Sequence, residues 1–208
     1  MSLIFLSRDK PKVLQDRYGF FPKLEIKFFI FIMIDTESIH VLLSCFTVIG
    51  QVVLILCLIN FFSPLKIGRT DINKLVRQNA YTFSLAVSLL ATIGSLYYSK
   101  VAGYSPCELC WYQRIFMYPQ AILFGIALYK NQQVITPYSL ALSILGGGIA
   151  LYHYLLQMKV LDLSTCPVGV ESCSETVVKK FGYITIPMMS LTAFSLLIIF
   201  MTTLLKKK

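Results

Sequence analysis

The chain has 208 residues, of which 56% are hydrophobic and only 14% charged, with a formal net charge of +9 and a mean hydropathy of +0.70. A charged fraction about half that of ordinary soluble domains excludes disorder, collagen and a small disulfide-stapled secreted scaffold, and argues against a soluble enzyme. The basic residues stand between apolar runs and at the C-terminus, so the positive charge reads as a membrane-topology signal and implies no nucleic-acid partner.

Residues 1–32 carry six basic side chains, Arg8, Lys10, Lys12, Arg17, Lys23 and Lys27. Met33 begins a second, acidic start, Met33-Ile34-Asp35-Thr36-Glu37, which is easier to translocate than a basic arm. Residues 1–38 are therefore expected to be a poorly ordered extension, with 1–32 an unstructured arm or an upstream mis-start. The apolar stretch 28–34 is too short to span a bilayer, which takes about 20 residues. The charge-free run 39–62 is long enough. A cleavable signal peptide is the alternative there, but the run is long for one and lacks an adjacent basic flank or a small-residue cleavage site. Cys45 and Cys57, inside it, read as small hydrophobes.

Four further runs follow. Residues 78–99 are charge-free; 109–129 are apolar except for Arg114; 137–158 and 181–205 are charge-free. The expected fold is therefore an all-α polytopic membrane bundle of five spans. The 63–77 loop holds Lys66, Arg69, Lys74 and Arg77 against Asp71, the 130–136 loop holds Lys130, and the tail holds Lys206, Lys207 and Lys208. By the positive-inside rule these face the cytoplasm, and 100–108 and 159–180 lie outside.

Both outer segments carry a cysteine pair. Cys107 and Cys110 form a C-x-x-C at the start of the third run. Ser105-Pro106-Cys107-Glu108 reads as a capping box with proline at the first helical position. Cys107 would then fall in the first turn, where unpaired N–H groups favour a thiolate. Such a pair can be a reversible disulfide, a static one, or half a zinc site. Arg114 continues the Cys107–Cys110 stripe at helical spacing. It is either an interfacial arginine reaching to headgroups or a fixed cation beside Cys110 that also donates to a ligand. Cys166 and Cys173, in the second outer segment, are separated by a Pro- and Gly-containing turn that lets the sulfurs approach. His153 lies in the fourth run, within two turns of its outer end, with Gln157 one turn further. An ionisable residue inside a span is a functional candidate; an interhelical hydrogen bond is the plainer reading. Gly146-Gly147-Gly148 fit close helix packing. No P-loop, dinucleotide fingerprint or nucleophile elbow is present. The available chemistry is thiol–disulfide exchange with a two-electron acceptor in the outer leaflet, a description that a lipid-soluble quinone meets.

Cys107-Glu108-Leu109-Cys110-Trp111-Tyr112-Gln113-Arg114 resembles the cysteine–arginine motif of the DsbB family of membrane disulfide oxidoreductases. Tyr152-His153 with Gln157, the Cys166/Cys173 pair, Phe181-Gly182 and Ile186-Pro187-Met188 resemble its later segments. The likeness covers about residues 78–205, a four-helix core, and leaves 39–62 as an additional helix. The second cysteine pair is closely spaced, as in shorter BdbC-like members, which shortens the partner-docking loop.

The resemblance implies catalytic roles for Cys107, Cys110, Cys166 and Cys173, and quinone binding (ubiquinone or menaquinone) at Arg114 and His153, with no metal. It also implies a DsbA-like thioredoxin-fold partner outside the bacterial cytoplasmic membrane and electron delivery to the membrane quinone pool. In that scheme, which the family's known redox chain supplies, the partner's thiolate attacks Cys166, Cys173 attacks Cys107, and Cys110 faces the quinone. The vitamin K epoxide reductase family shares a four-helix bundle, C-x-x-C and quinone, but its loop cysteines precede the C-x-x-C. A four-cysteine metal-binding protein and a structural protein with static disulfides are the readings from other classes; the C-x6-C spacing departs from usual zinc sites.

Overall fold

The computed structural model describes residues 22–62, 76–130, 134–160, 173, 179 and 181–205. It contains α1 (Pro22–Phe62), α2 (Ala80–Lys100), α3 (Glu108–Lys130), α4 (Thr136–Gln157) and α5 (Ile186–Leu205). The lysine tail 206–208 and residues 1–21 lie outside the described residues.

Two boundaries depart from the expected runs, each for a local reason. α1 begins at Pro22 rather than near residue 39, so residues 22–38 are helical. Proline suits a first helical turn, and no glycine or proline interrupts the chain from Lys23 to Ile49. α5 begins at Ile186 rather than at Phe181, because Phe181 and Gly182 have φ of 50° and 80° and cannot continue a right-handed helix. Pro187 sits in the first turn, where its missing N–H has no partner to lose. α4 ends where expected. Lys159 takes φ 54°, and its N–H donates to Leu156 O at 3.0 Å while Val160 N–H donates to Leu155 O at 3.1 Å. This paired C-terminal closure satisfies carbonyls that would otherwise be orphaned.

Among the described residues, four segments are long and apolar enough to cross a membrane: Glu37–Ile59, Ala80–Lys100, Thr136–Gln157 and Ile186–Leu205. The fifth expected span, α3, is 23 residues long but less apolar. Its inward side carries Gln113, Arg114 and Gln120, and these lower its hydropathy without shortening it.

α2 to α5 form a ring in which each helix packs on its chain neighbours and α5 closes onto α2. Phe124, Phe194, Leu197 and Met201 are fully buried at its centre. α4 and α5 approach closely because Gly146 leaves room for a ring: a Cβ there would stand 2.4 Å from Phe194 Cζ. Gly147 also faces Phe194, whereas Gly148 faces open space, so two of the three glycines serve packing. α3 and α4 are joined by Gln120 Oε1, which accepts from Ser139 Oγ at 2.9 Å and Ser143 Oγ at 3.0 Å. Between helices in lipid, such bonds add to van der Waals packing.

Residues 40–62 of α1 lie against this ring. A Cβ at Gly50 would meet Leu196 and Thr192 at 3.3 Å. Gln51 Nε2 donates to Thr192 Oγ1 at 3.4 Å, and Tyr183 Oη donates to Gln51 Oε1 at 2.8 Å. Leu42, Ile49, Val52, Ile55 and Ile59 point outward, as lipid-facing side chains do. Cys45 is exposed and Cys57 partly so.

Candidate functional site

The end of α2 sets the site. After Lys100 the chain turns through Gly103, whose φ of 72° is open to glycine at little cost. Tyr104 N–H donates back to Tyr98 O at 3.0 Å, and the short link then delivers Cys107 to α3. The first helical residue is Glu108, and Cys107 takes the cap position, its carbonyl accepting Trp111 N–H at 3.2 Å. The expected capping box is therefore displaced by two residues. Pro106 stands before the helix, and Glu108 accepts from Tyr112 Oη at 2.9 Å.

This shift changes the expected chemistry of Cys107. Its S–H donates to Cys110 Sγ at 3.2 Å, and its side chain is buried, 7% exposed. The bond to Cys110 and burial push its thiol up to about 12, against an opposing pull from His153. Cys107 is thus shifted toward the thiol form, opposite to the direction that a first-turn position suggests.

His153 joins this pair on the Cys107 side. Its Nε2 lies 3.7 Å from Cys107 Sγ, and its Nδ1 is 3.0 Å from Gln113 Nε2. Gln113 Oε1 in turn accepts from Ser190 Oγ at 2.6 Å. Ser190 on α5, Gln113 on α3 and His153 on α4 therefore form one line ending at the sulfur. His153 is 1% and Gln113 6% exposed. The sequence offered a signal for Gln113, a polar residue one turn beyond Cys110 in an apolar run, but no means of seeing its partners on two other helices.

Arg114 is partly buried and held by α2. Its Nε donates to Ser95 Oγ at 2.9 Å and its Nη2 to Ser95 O at 3.1 Å. Its guanidinium lies 5.2 Å from the Trp111 ring centroid, a cation–π distance, and Tyr118 Oη also donates to Ser95 Oγ, at 3.3 Å. An arginine anchored this way is fixed in the bundle rather than reaching for headgroups.

An open cavity of about 580 Å³ brings these groups together. Cys107, Cys110, Arg114, His153, Gln157 and Cys173 all line it. Its remaining wall is mainly apolar and includes Leu43, Phe46, Gly50 and Val53 of α1 and Val87 and Leu90 of α2. Cys173 is buried, 4% exposed; Cys166 lies outside the described residues. Cys107, Cys110 and His153 also place three metal-ligating atoms within 4.8 Å of one another, one short of a closed tetrahedral zinc site.

A family model described as disulfide bond formation protein DsbB matches residues 77–204. Disulfide bond formation protein C of Bacillus subtilis is 45% identical over 128 residues, 60% of this chain and 91% of its own length. Probable disulfide formation protein C of Halalkalibacterium halodurans is 36% identical over 132 residues, 63% of this chain and 96% of its own. Probable disulfide formation protein of Coxiella burnetii is 37% identical over 124 residues, 59% and 84% of the two chains. No solved structure gives a significant match.

Proposed function

The chain belongs to the DsbB family of disulfide bond formation proteins and is a multi-pass membrane thiol–disulfide oxidoreductase, and from that premise we propose that it reoxidises a DsbA-like thioredoxin-fold protein outside the bacterial cytoplasm and passes the two electrons to membrane quinone. The observation that carries this reading is the cysteine pair set in the wall of an apolar cavity that also holds Arg114. The cavity volume falls within the usual range for small-molecule sites, roughly 300–1,000 Å³. Polar groups are few, and a flat ring with two carbonyl oxygens and an apolar tail fits that distribution.

The order of the cysteine steps is the one the family resemblance implies, and the parts given to Arg114 and His153 rest on their contacts. The partner's thiolate attacks the Cys166–Cys173 disulfide at Cys166, and the partner leaves with its own disulfide closed. Cys173, released as a thiolate, attacks the Cys107–Cys110 disulfide at Cys107, and the electron pair departs on Cys110. Cys166, freed when the partner closes its own disulfide, attacks Cys173 of the Cys173–Cys107 bond, which re-forms Cys166–Cys173 and releases Cys107, so that Cys107 and Cys110 stand as a dithiol. A bound quinone would accept the two electrons and two protons of that dithiol as the Cys107–Cys110 disulfide re-forms. Arg114, fixed by Ser95, offers its remaining N–H groups to an oxygen of the ring. His153 stands beside Cys107, its Nε2 3.7 Å from the sulfur. The mainly apolar walls lower the local polarity around the arginine and so strengthen its field. The Lys/Arg-rich loops support a cytoplasmic-membrane orientation with the cysteines outward.

The test uses the full chain in lipid nanodiscs with a reduced thioredoxin-fold protein and either ubiquinone or menaquinone. Quinol formation is followed by absorbance, and metal content is measured on the reduced protein. The expected result is partner oxidation matched by quinol formation and abolished in Cys107→Ser, Cys110→Ser, Cys166→Ser and Cys173→Ser. Stoichiometric bound zinc without quinol formation would instead assign the Cys107, Cys110 and His153 cluster to a metal.

A further inference from the structure

The line of hydrogen bonds from Ser190 to Cys107 runs in one direction in this structure. Gln113 is placed with its Oε1 toward Ser190, whose hydroxyl donates to it at 2.6 Å. The same placement turns Nε2 toward His153 Nδ1 at 3.0 Å. The amide nitrogen only donates, so Nδ1 must carry a lone pair. The proton of the neutral ring then sits on Nε2, aimed at Cys107 Sγ at 3.7 Å. The His153 contacts to Gln113 and Cys107 are buried, where a misdirected donor would be costly.

We propose that Gln113, oriented by Ser190, is a positioning residue that locks His153 in the Nε2–H tautomer, so that the ring is a fixed hydrogen-bond donor to the Cys107 sulfur and not a base that removes its proton. Three helices contribute one group each, so the donor is also held against rotation. A donor on sulfur favours the thiolate over the thiol, and the thiolate is the form that reacts. The inference rests on Cys107–Cys110 being the reactive pair. Its readouts are a proton position and a thiol rate, so quinone turnover can fail without touching it.

The chain has only two histidines, His40 and His153, so selective ¹⁵N-imidazole labelling of the full chain in nanodiscs is assignable with His40→Phe. Wild-type protein should show His153 protonated at Nε2 and bare at Nδ1. Gln113→Leu should give a mixture of tautomers and slow Cys107 alkylation by iodoacetamide roughly two- to tenfold, the loss expected for one hydrogen bond. In a His153→Phe background the same Gln113→Leu change should have no further effect, because the two act as one unit. Ser190→Ala, a milder change that leaves Gln113 in place, should move both readouts in the same direction by less; it stands in if Gln113→Leu does not insert. A wild-type spectrum showing Nδ1–H overturns the proposal, as do additive effects of Gln113→Leu and His153→Phe on the alkylation rate.

Discussion

At the scale of single residues, two side chains differ in how their chemistry is set. Cys107 is governed by its neighbour Cys110 first and by burial second. Replacing Cys110 by alanine removes the larger influence and leaves the His153 donor. The pH midpoint for Cys107 alkylation, read by peptide mapping of the full chain, should therefore fall below about 12. An unchanged midpoint would assign the high value to burial alone. Arg114 is governed by Ser95, which takes two of its N–H groups. Lysine keeps the charge but loses the planar fork, so Arg114→Lys should fall between wild type and Arg114→Ala. A lost charge-assisted bond is worth about 1.5–3 kcal/mol, or roughly ten- to a hundredfold in kcat/KM for quinone. Membrane insertion should stay near normal, because Tyr118 still donates to Ser95 on α2. Equal quinone kinetics in Arg114→Ala would leave the arginine a purely structural tie. The cysteine–arginine stripe was legible from spacing along one helix. Ser95, Gln113 and Ser190 were not, because periodicity reports which face a residue occupies and says nothing of what stands opposite it on another helix.

Helix-level packing rests on a few small residues. Gly146 lets α4 and α5 close because its missing side chain admits the Phe194 ring, and Phe116 Cβ would also lie 3.0 Å from an added methyl. Neither neighbour can yield cheaply, since Phe194 is fully buried. Gly146→Ala should lower stability by about 1–3 kcal/mol, the usual range for overpacking, read as a lower Tm in detergent. Gly148→Ala meets nothing within 4 Å and should be neutral or gain up to about 1 kcal/mol from helix propensity. Equal losses at both positions would put the effect in backbone flexibility rather than in the α4–α5 contact. The triple glycine was visible in the sequence as a packing device, but not which of its members face the neighbour. Helix starts were the least legible feature. Charge-free runs mark where a chain can lie in lipid, whereas α5 starts where Phe181 and Gly182 stop blocking it and α3 where Cys107 can cap it.

At the scale of the whole molecule, the helix outside the family match contributes to the same cavity as the cysteines. Val53 of α1 lines that cavity, while its neighbour Val52 is 51% exposed and lies outside the lining. If the apolar wall receives the tail of a quinone, filling it from α1 should weaken binding of the tail without disturbing the sulfurs. Val53→Trp should raise KM for a long-tailed quinone roughly three- to tenfold, the effect of losing about 50 Å² of apolar contact. A short-chain quinone should be nearly unaffected, because its ring sits by Arg114 and the cysteines. Val52→Trp, facing outward, is the control and should change neither. Alkylation of Cys107 should match wild type in both variants, which separates a filled cavity from a displaced helix. If Val53→Trp impairs both quinones equally and slows alkylation too, residues 40–62 hold the bundle together and the tail binds elsewhere. An effect confined to the long tail assigns the additional helix a part in acceptor choice, by the same steric argument that makes Gly50 the point where α1 lies against Thr192 and Leu196.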